Sequence, residues 1–350
     1  MAPLATVICV TPVKNEAWIL DRFIRCASEW ADKIIIADQG STDGSIEIAR
    51  RFPKVVLLNN ASPEYSEHVR GNLLLAEARK TPGKRILIAL DADEVLSANW
   101  RGSLEWEQIL SAPEGTIIRF PKAELHYDQK TYWGAHGDAA GLIHGDSTHG
   151  LVDDGSEFTG SSMHGARLPK PEPHHILRPL TLWVLHYRYT DPVRTRSKIR
   201  WYHCWEALQR PRIRPITSFR HYAADLSMPE VRPSVRPEWF EGYSAIGIDM
   251  HEVNSSKHNW WDQEVISMLS THGVDKFRRI DMWDDPWWLG MEGLASPNAS
   301  GNRVNASNVW PYDPRNGFEK AVHRWLRKTQ KRKLSPEIRL LQRLLIPLGW

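Results

Sequence analysis

Four short apolar runs, each separated from the next by a segment of helical period, fill the first ninety residues and leave the chain few architectures to choose from. Thr6–Val10, Lys33–Asp38, Lys54–Leu58 and Arg85–Leu90 are β-branched or leucine-rich, as expected of strands covered on both faces. In Glu16–Trp30 the residues Ile19, Leu20, Phe23, Ile24, Ala27 and Trp30 recur at helical spacing. Ser45–Phe52 and Tyr65–Arg79 read as two further helices, with Ser62-Pro63 as the start signal of the second. Strand and helix alternating in this way predict an α/β fold with a doubly wound, mainly parallel sheet.

In such sheets ligands sit beyond the carboxyl ends of the strands. Those ends carry Thr11-Pro12, then Asp38-Gln39-Gly40-Ser41, then Asp91-Ala92-Asp93-Glu94. The last is the sharpest feature, a buried apolar strand running directly into three carboxylates. Asp91 and Asp93, two residues apart, can approach one divalent cation from one face. Oxygen ligands favour a hard ion, Mg²⁺ or Mn²⁺, completed by water and substrate phosphates. Its task is to hold a pyrophosphate and offset the charge that develops as it leaves. An acidic solvated loop, with one Asp capping the next element, is the plainer alternative for a bare Asp-x-Asp.

Composition narrows the class further. The net charge of +3 hides a net +8 from Arg315 to the end and −5 before it, so the body is mildly acidic. That balance argues against a nucleic-acid-binding core. Cys9, Cys26 and Cys204 are too few and too scattered for a disulfide framework or a Cys-based zinc site. Ala5–Val10 is too short for a signal-peptide core, and no apolar run approaches the ~20 residues of a membrane span. The expected location is the cytoplasm.

Val7–Glu16, Trp30–Ser45 and Leu90–Glu94, in this order and at these intervals, resemble glycosyltransferase family 2, most closely its bacterial lipopolysaccharide and exopolysaccharide branch. The resemblance is good over residues 5–100 and weaker to about 205. It implies a GT-A fold and an inverting transfer from a nucleotide-diphosphate sugar to a hydroxyl of a glycan or lipid-linked acceptor. By the same resemblance Thr11, Pro12 and Glu16 line the nucleotide pocket, Asp38 bonds the base and Arg70 meets a phosphate. Asp91 and Asp93 match the metal motif, with Asp91 near the ribose or the ion. His186, ending the late run Thr181–Tyr187, is the matching histidine ligand. Gln39 departs from the family, which often has Asp or Ser there.

An inverting transfer needs a carboxylate to take the acceptor proton. Relatives often carry a His-Glu pair shortly before the late strand. This chain has Met163-His164-Gly165, so the base falls to Asp153, Asp154 or Glu157 just upstream. Thr116–Phe120 is a further strand, and the Gly/His-rich stretch Asp128–Gly165 reads as a long functional loop. Nine of the fifteen histidines lie between 126 and 203 without metal-ligand spacing, which points to an acceptor loop and not to zinc. Tyr132 and Trp133 offer faces for a sugar or for packing.

The expected organisation is a catalytic domain over 1–190, with a nucleotide-sugar half 1–100 and an acceptor half 101–190. A mostly helical, Trp-rich accessory region follows over 191–312, then a basic amphipathic tail over 313–350. In the tail, Lys and Arg alternate with Val322, Trp325, Leu326, Ile338, Leu341 and Leu344, a pattern suited to an anionic membrane surface or to docking on the protein. Two other readings compete: a catalytically silent sugar-nucleotide- or glycan-binding relative, and a sugar nucleotidylyltransferase. The second needs a Gly-rich loop after the first strand, where this chain has Thr11–Glu16 with no glycine.

Overall fold

The computed structural model describes residues 5–60, 66–135, 148–158, 166–172, 175–223, 232–254, 259–284 and 313–350. The first part runs β1 (Thr6–Val13), α1 (Leu20–Trp30), β2 (Lys33–Asp38), α2 (Ser45–Arg50), β3 (Val55–Asn59), α3 (Glu67–Ala78), β4 (Arg85–Ala89) and β5 (Glu94–Leu96). It continues through α4 (Leu104–Ser111), β6 (Thr116–Ile118), β7 (Lys122–Leu125), β8 (Tyr132–Ala135), β9 (Gly150–Val152), β10 (His175–Leu177) and β11 (Val184–His186). Helices α5 (Pro192–Gln209), α6 (Pro215–Tyr222), α7 (Glu241–Ser244), α8 (Trp260–His272), α9 (Gly317–Thr329) and α10 (Pro336–Leu345) follow.

A seven-stranded sheet has the order β10-β6-β9-β4-β1-β2-β3, with β9 the antiparallel member between β4 and β6. Alternate residues of the central strands serve opposite faces, as a pleated strand requires. Val7, Cys9, Ile34 and Ile36 pack with Phe23, Ile24 and Ala27 of α1 and Ile109 of α4. Ile8, Val10, Ile35 and Ala37 pack with Leu74, Leu75 and Ala78 of α3. The fold is therefore the expected α/β arrangement, with helices on both faces of a mainly parallel sheet and a helical C-terminal part. A second sheet, β5-β11-β7-β8, stands after the acidic turn.

The elements differ from expectation in instructive ways. β1 extends to Val13, because it keeps pairing with β2 after β4 has ended. Helix α1 starts at Leu20 and not at Glu16, since residues 15–17 give their backbone N–H groups to side chains of the next loop. Asn15 donates to Ser41 Oγ, Glu16 to Ser45 Oγ and Ala17 to Asp43 Oδ2. Ser66 caps α3 by accepting from the Val69 N–H; the expected Ser62-Pro63 signal lies outside the described residues. Strands β8 and β9 fall inside the stretch read as a loop, being too short to show a period.

The chain divides into two compact units, Met1–Asp191 with Val231–Ser255, and Pro192–Glu230 with Ser256–Trp350. Against the expected boundary at 190, the first unit takes in residues 231–255 because their aromatics complete its core. Trp239 and Tyr243 are buried with Tyr132, Trp183 and Tyr187, and the Tyr243 hydroxyl donates to the Leu96 carbonyl at 2.9 Å. Tyr132 is thus a core residue, edge-on to Trp183 and Trp239. In the second unit, Asp262 of α8 accepts from Ser197 and Arg200 of α5 at 2.7 and 2.9 Å. There Ile216 and Phe219 of α6 share a core with Val322, Leu326 and Trp350. The basic segment 313–350 is part of this unit. Among the described residues no helix is long and apolar enough to cross a membrane.

Asp153 shows how the large sheet is pinned. Its side chain is fully buried between Arg79 at 2.8 Å and Arg85 at 2.9 Å. Burial would raise the carboxyl, but its hydrogen bonds from the two arginines hold it below the usual range. Removing one side of a buried ion pair leaves charge unbalanced. Asp153→Ala is expected to cost about 2–4 kcal/mol in urea unfolding, discounted because both arginines keep some access to water. A group with a depressed folded pKa contributes fully above its unfolded value, about 3.9, and loses that contribution as pH falls. The wild-type advantage over Asp153→Ala should therefore shrink below about pH 4, read from unfolding midpoints across pH.

Candidate active site

The strand order places β1 at the centre, with β2 and β3 on one side and β4 on the other. The crevice between β1 and β4 is the switch point at which doubly wound sheets bind ligands. Asp38 ends β2 on this edge, and the Asp91–Glu94 turn follows β4 on the same edge. Two inter-strand steps separate them, roughly 10 Å.

Asp38 is buried, and its carboxylate is half used. Oδ2 accepts from the Gly40 and Ser41 N–H groups, each at 3.0 Å, in a turn that Gly40 completes at φ +69°. A left-handed residue there is easiest for glycine. Oδ1 is buried and has no hydrogen-bond partner among the described residues. A buried carboxylate oxygen without a donor is costly unless something else supplies one. Of the other nucleotide-site residues, Thr11 is fully buried, while Pro12 and Glu16 are partly exposed. The Trp18 indole N–H holds the Glu16 carboxylate at 2.7 Å. Arg70 lies on α3, 3.7 Å from Glu67.

The acidic turn is built by register. In the second sheet His186 of β11 pairs with Glu94 of β5 on one side and Glu124 of β7 on the other. Lys122, two residues before Glu124, presents the same face. Glu94 has no exposed side-chain surface and lies 2.5 Å from Lys122 Nζ. Arg167 donates to both Glu94 oxygens and, at 2.7 Å, to Asp91 Oδ2. Burial would raise the Glu94 carboxyl, but Arg167, Lys122 and His186 hold it well below the usual range. Glu94 is thus tied into ion pairs, and Asp91 is partly taken by Arg167.

His186 Nε2 lies 3.5 Å from Asp93 Oδ1, while Nδ1 makes an ionic contact of 2.7 Å with Glu124. Burial opposes its charge, yet Glu124 and Asp93 raise the ring to about 9. Two ligands at right angles on one Mn²⁺- or Mg²⁺-sized ion sit about 3 Å apart, close to the Asp93–His186 separation. A carboxylate behind the other ring nitrogen is the usual support of a metal-bound histidine. Asp93 and His186 therefore fit as two protein ligands, with water and phosphate to complete the shell. Among the described residues no three His, Cys, Asp or Glu side chains form a ready cage. Asp91 stands apart because it faces Arg167.

Asp153 and Asp154 are not brought to this edge. Val152 pairs with Ile86 in the antiparallel β9–β4 ladder, so Asp153 sits beside Arg85 at the start of β4. Asp91 is six residues further along, roughly 20 Å away. Asp154 is on the same far edge, near Gly115 at the start of β6. Glu157 is exposed, next to Phe158, which packs on Gly71 of α3. His164 and Gly165 lie outside the described residues. The expectations missed Lys122, Glu124 and Arg167. The first two carry a signal, charges at i and i+2 inside an apolar strand; Arg167 carries none.

Residues 8–104 match the profile described as Glycosyl transferase family 2. No curated protein sequence matches the chain. Among solved structures, it is similar to glucosyl-3-phosphoglycerate synthase from Mycobacterium tuberculosis in complex with phosphoglyceric acid, at 21% identity over 35% of this chain and 53% of that one, TM-score 0.25. It is similar to 4-diphosphocytidyl-2C-methyl-D-erythritol synthase at 20% identity over 33% and 58%, TM-score 0.27. It is also similar to GalNAc-T7 with UDP, GalNAc and Mn²⁺ at 14% identity over 77% and 58%, TM-score 0.32. The chain spans about half the length of the first solved proteins it matches.

Because Glu124 is the main source of the raised His186 value, Glu124→Gln should lower it from about 9 toward the ordinary histidine range. An NMR titration of the ring in metal-free protein checks this; an unmoved value would mean that Asp93 alone sets it.

Proposed function

We propose that this chain is a glycosyltransferase that moves a sugar from a nucleotide-diphosphate donor to a hydroxyl acceptor, with inversion. The observation that carries the reading is the buried, unpartnered Asp38 Oδ1, on the edge that also holds the acidic turn and within the family match. Asp38 Oδ1 accepts an N–H of the base, with Thr11, Pro12 and Glu16 as the residues of the nucleotide pocket. Arg70 meets a phosphate oxygen, for which its planar fork is suited. Asp93 and His186 would hold a divalent ion, which would neutralise charge on the departing diphosphate. Asp153 is spent on Arg79 and Arg85 and Asp154 lies on the far edge, so Glu157 is the carboxylate assigned to take the acceptor proton.

The acceptor is a glycan or a lipid-linked sugar, in keeping with a membrane-facing element in the second unit. Leu340, Leu341 and Leu344 of α10 are between 45% and 63% exposed, while Ile338 is buried. At 100° per residue the three leucines share an arc of roughly 100°. Arg339 and Arg343 flank this arc on one side, and Lys331 and Arg332 precede the helix, Arg332 being paired with Glu337. This is the chemistry of a helix lying on an anionic bilayer, at the inner face of a cell membrane.

Thermal unfolding against UDP-, GDP-, dTDP- and CDP-sugars, with and without Mn²⁺, tests the donor site. A ligand at 100 times its Kd adds about 2.7 kcal/mol, and Asp93→Ala should abolish the metal-dependent part. No shift with any donor in folded protein rejects the reading, and stabilisation without turnover of any acceptor leaves a silent binding relative. Sedimentation with phosphatidylglycerol vesicles at low salt tests the helix. Leu341→Asp with Leu344→Asp should weaken binding more than tenfold, each leucine contributing roughly 2 kcal/mol on burial. Full-length protein that ignores such vesicles removes the membrane contact.

A further inference from the structure

Resting on the donor-binding reading above, we propose that Arg167 is a built-in counter-cation that occupies Asp91 until a diphosphate arrives. Both of its terminal nitrogens are already committed. Nη2 serves Asp91 Oδ2 at 2.7 Å and Glu94 Oε1 at 3.0 Å, and Nη1 serves Glu94 Oε2 and the Ala89 carbonyl. The two carboxylates differ in what they can give up. Glu94 is fully buried and also neutralised by Lys122, so it keeps a cation whatever Arg167 does. The Asp91 side chain is 40% exposed and forms the outer end of the clamp. The Arg167–Asp91 contact is therefore the exchangeable one.

A positive charge on Asp91 disfavours a divalent ion there twice over. It takes a ligand oxygen, and it repels the incoming ion. Without donor, the metal has only Asp93 and His186 from the protein. A diphosphate supplies oxygens of matching geometry to the guanidinium. Arg167 then exchanges Asp91 for phosphate, and Asp91 turns to the metal. Charge is balanced before and after, and no covalent step is involved. Arg167 is a positioning residue: it makes donor and metal bind as a pair and keeps the ion loosely held on the empty protein.

The experiment is Mn²⁺ titration of full-length protein without nucleotide, read from the free-ion paramagnetic resonance signal. Wild type, Arg167→Met, Asp91→Asn and the double variant are compared. Arg167→Met should bind Mn²⁺ about tenfold more tightly. Asp91→Asn should change little alone but should cancel that gain in the double variant. A merely structural Arg167 gives unchanged or weaker binding on removal, which overturns the proposal. So does an equal loss from Asp91→Asn in both backgrounds, or no Mn²⁺ bound by any of the four. If Arg167→Met does not fold, Arg167→Lys keeps Glu94 neutralised but cannot bridge both carboxylates. It should gain about threefold, and no gain there overturns the idea equally. Stabilisation of wild type by a nucleotide sugar, with no effect of Arg167→Met on Mn²⁺, rejects this inference alone. The same gain in Mn²⁺ affinity, in a protein that no nucleotide sugar stabilises in the unfolding assay, rejects the donor reading instead.

Discussion

A carboxylate with no access to water is the constraint around which the small sheet is arranged. Glu94 has no exposed side-chain surface, and an isolated buried charge of this kind costs several kcal/mol. Three cations answer it from three different places: Lys122 on β7, His186 on β11 and Arg167 from the segment after β9. Each tie fixes an element relative to the acidic turn. The turn itself is closed by the Asp91 N–H donating to Glu94 and the Glu94 N–H donating to the Asp91 carbonyl. The geometry of Asp91 and Asp93 is thus inherited from a side chain that has no exposed surface of its own.

The opposite side of the crevice is held by neutral and charged hydrogen bonds in a looser way. The loops after β1 and β2 are joined by Ser41, Asp43 and Ser45, which accept backbone N–H groups of residues 15–17. Asn15, at φ 55°, returns a bond to the Thr42 N–H at 2.7 Å. These are side-chain substitutes for a sheet ladder that has ended, and they hold Asp38 in place while its second oxygen stays open.

The strands β1 to β4 were legible because they are long enough to display their pattern. Lys33–Asp38 came out at its expected bounds, and the helices differed only at their ends, where hydrogen bonds to distant loops decide. β5 and β9 have three residues each, too few to carry a period. The acidic turn and His186 were readable as residues, yet their setting was not. Nothing in Arg167 and its neighbours in sequence announces a contact with Asp91, 76 residues away. Asp153 misled for the same reason. Its position in the chain suggested the acceptor side, but the antiparallel course of β9 carries it to the other end of the sheet.

The return of residues 231–255 to the first unit sets the order in which this protein can be completed during synthesis. When Asp191 leaves the ribosome, the first unit still lacks Trp239 and Tyr243, and the backbone carbonyl of Asp249 that receives the Arg22 guanidinium at 2.8 Å. A nascent chain at that length presents Tyr132 and Trp183 uncovered. It must hold them while the whole of α5 and α6 is made. Exposed aromatic surface of this kind attracts chaperones and other chains. The unit that carries the nucleotide edge is therefore first to begin folding, yet by its own connectivity it cannot be completed before the opening stretch of the second unit has been made.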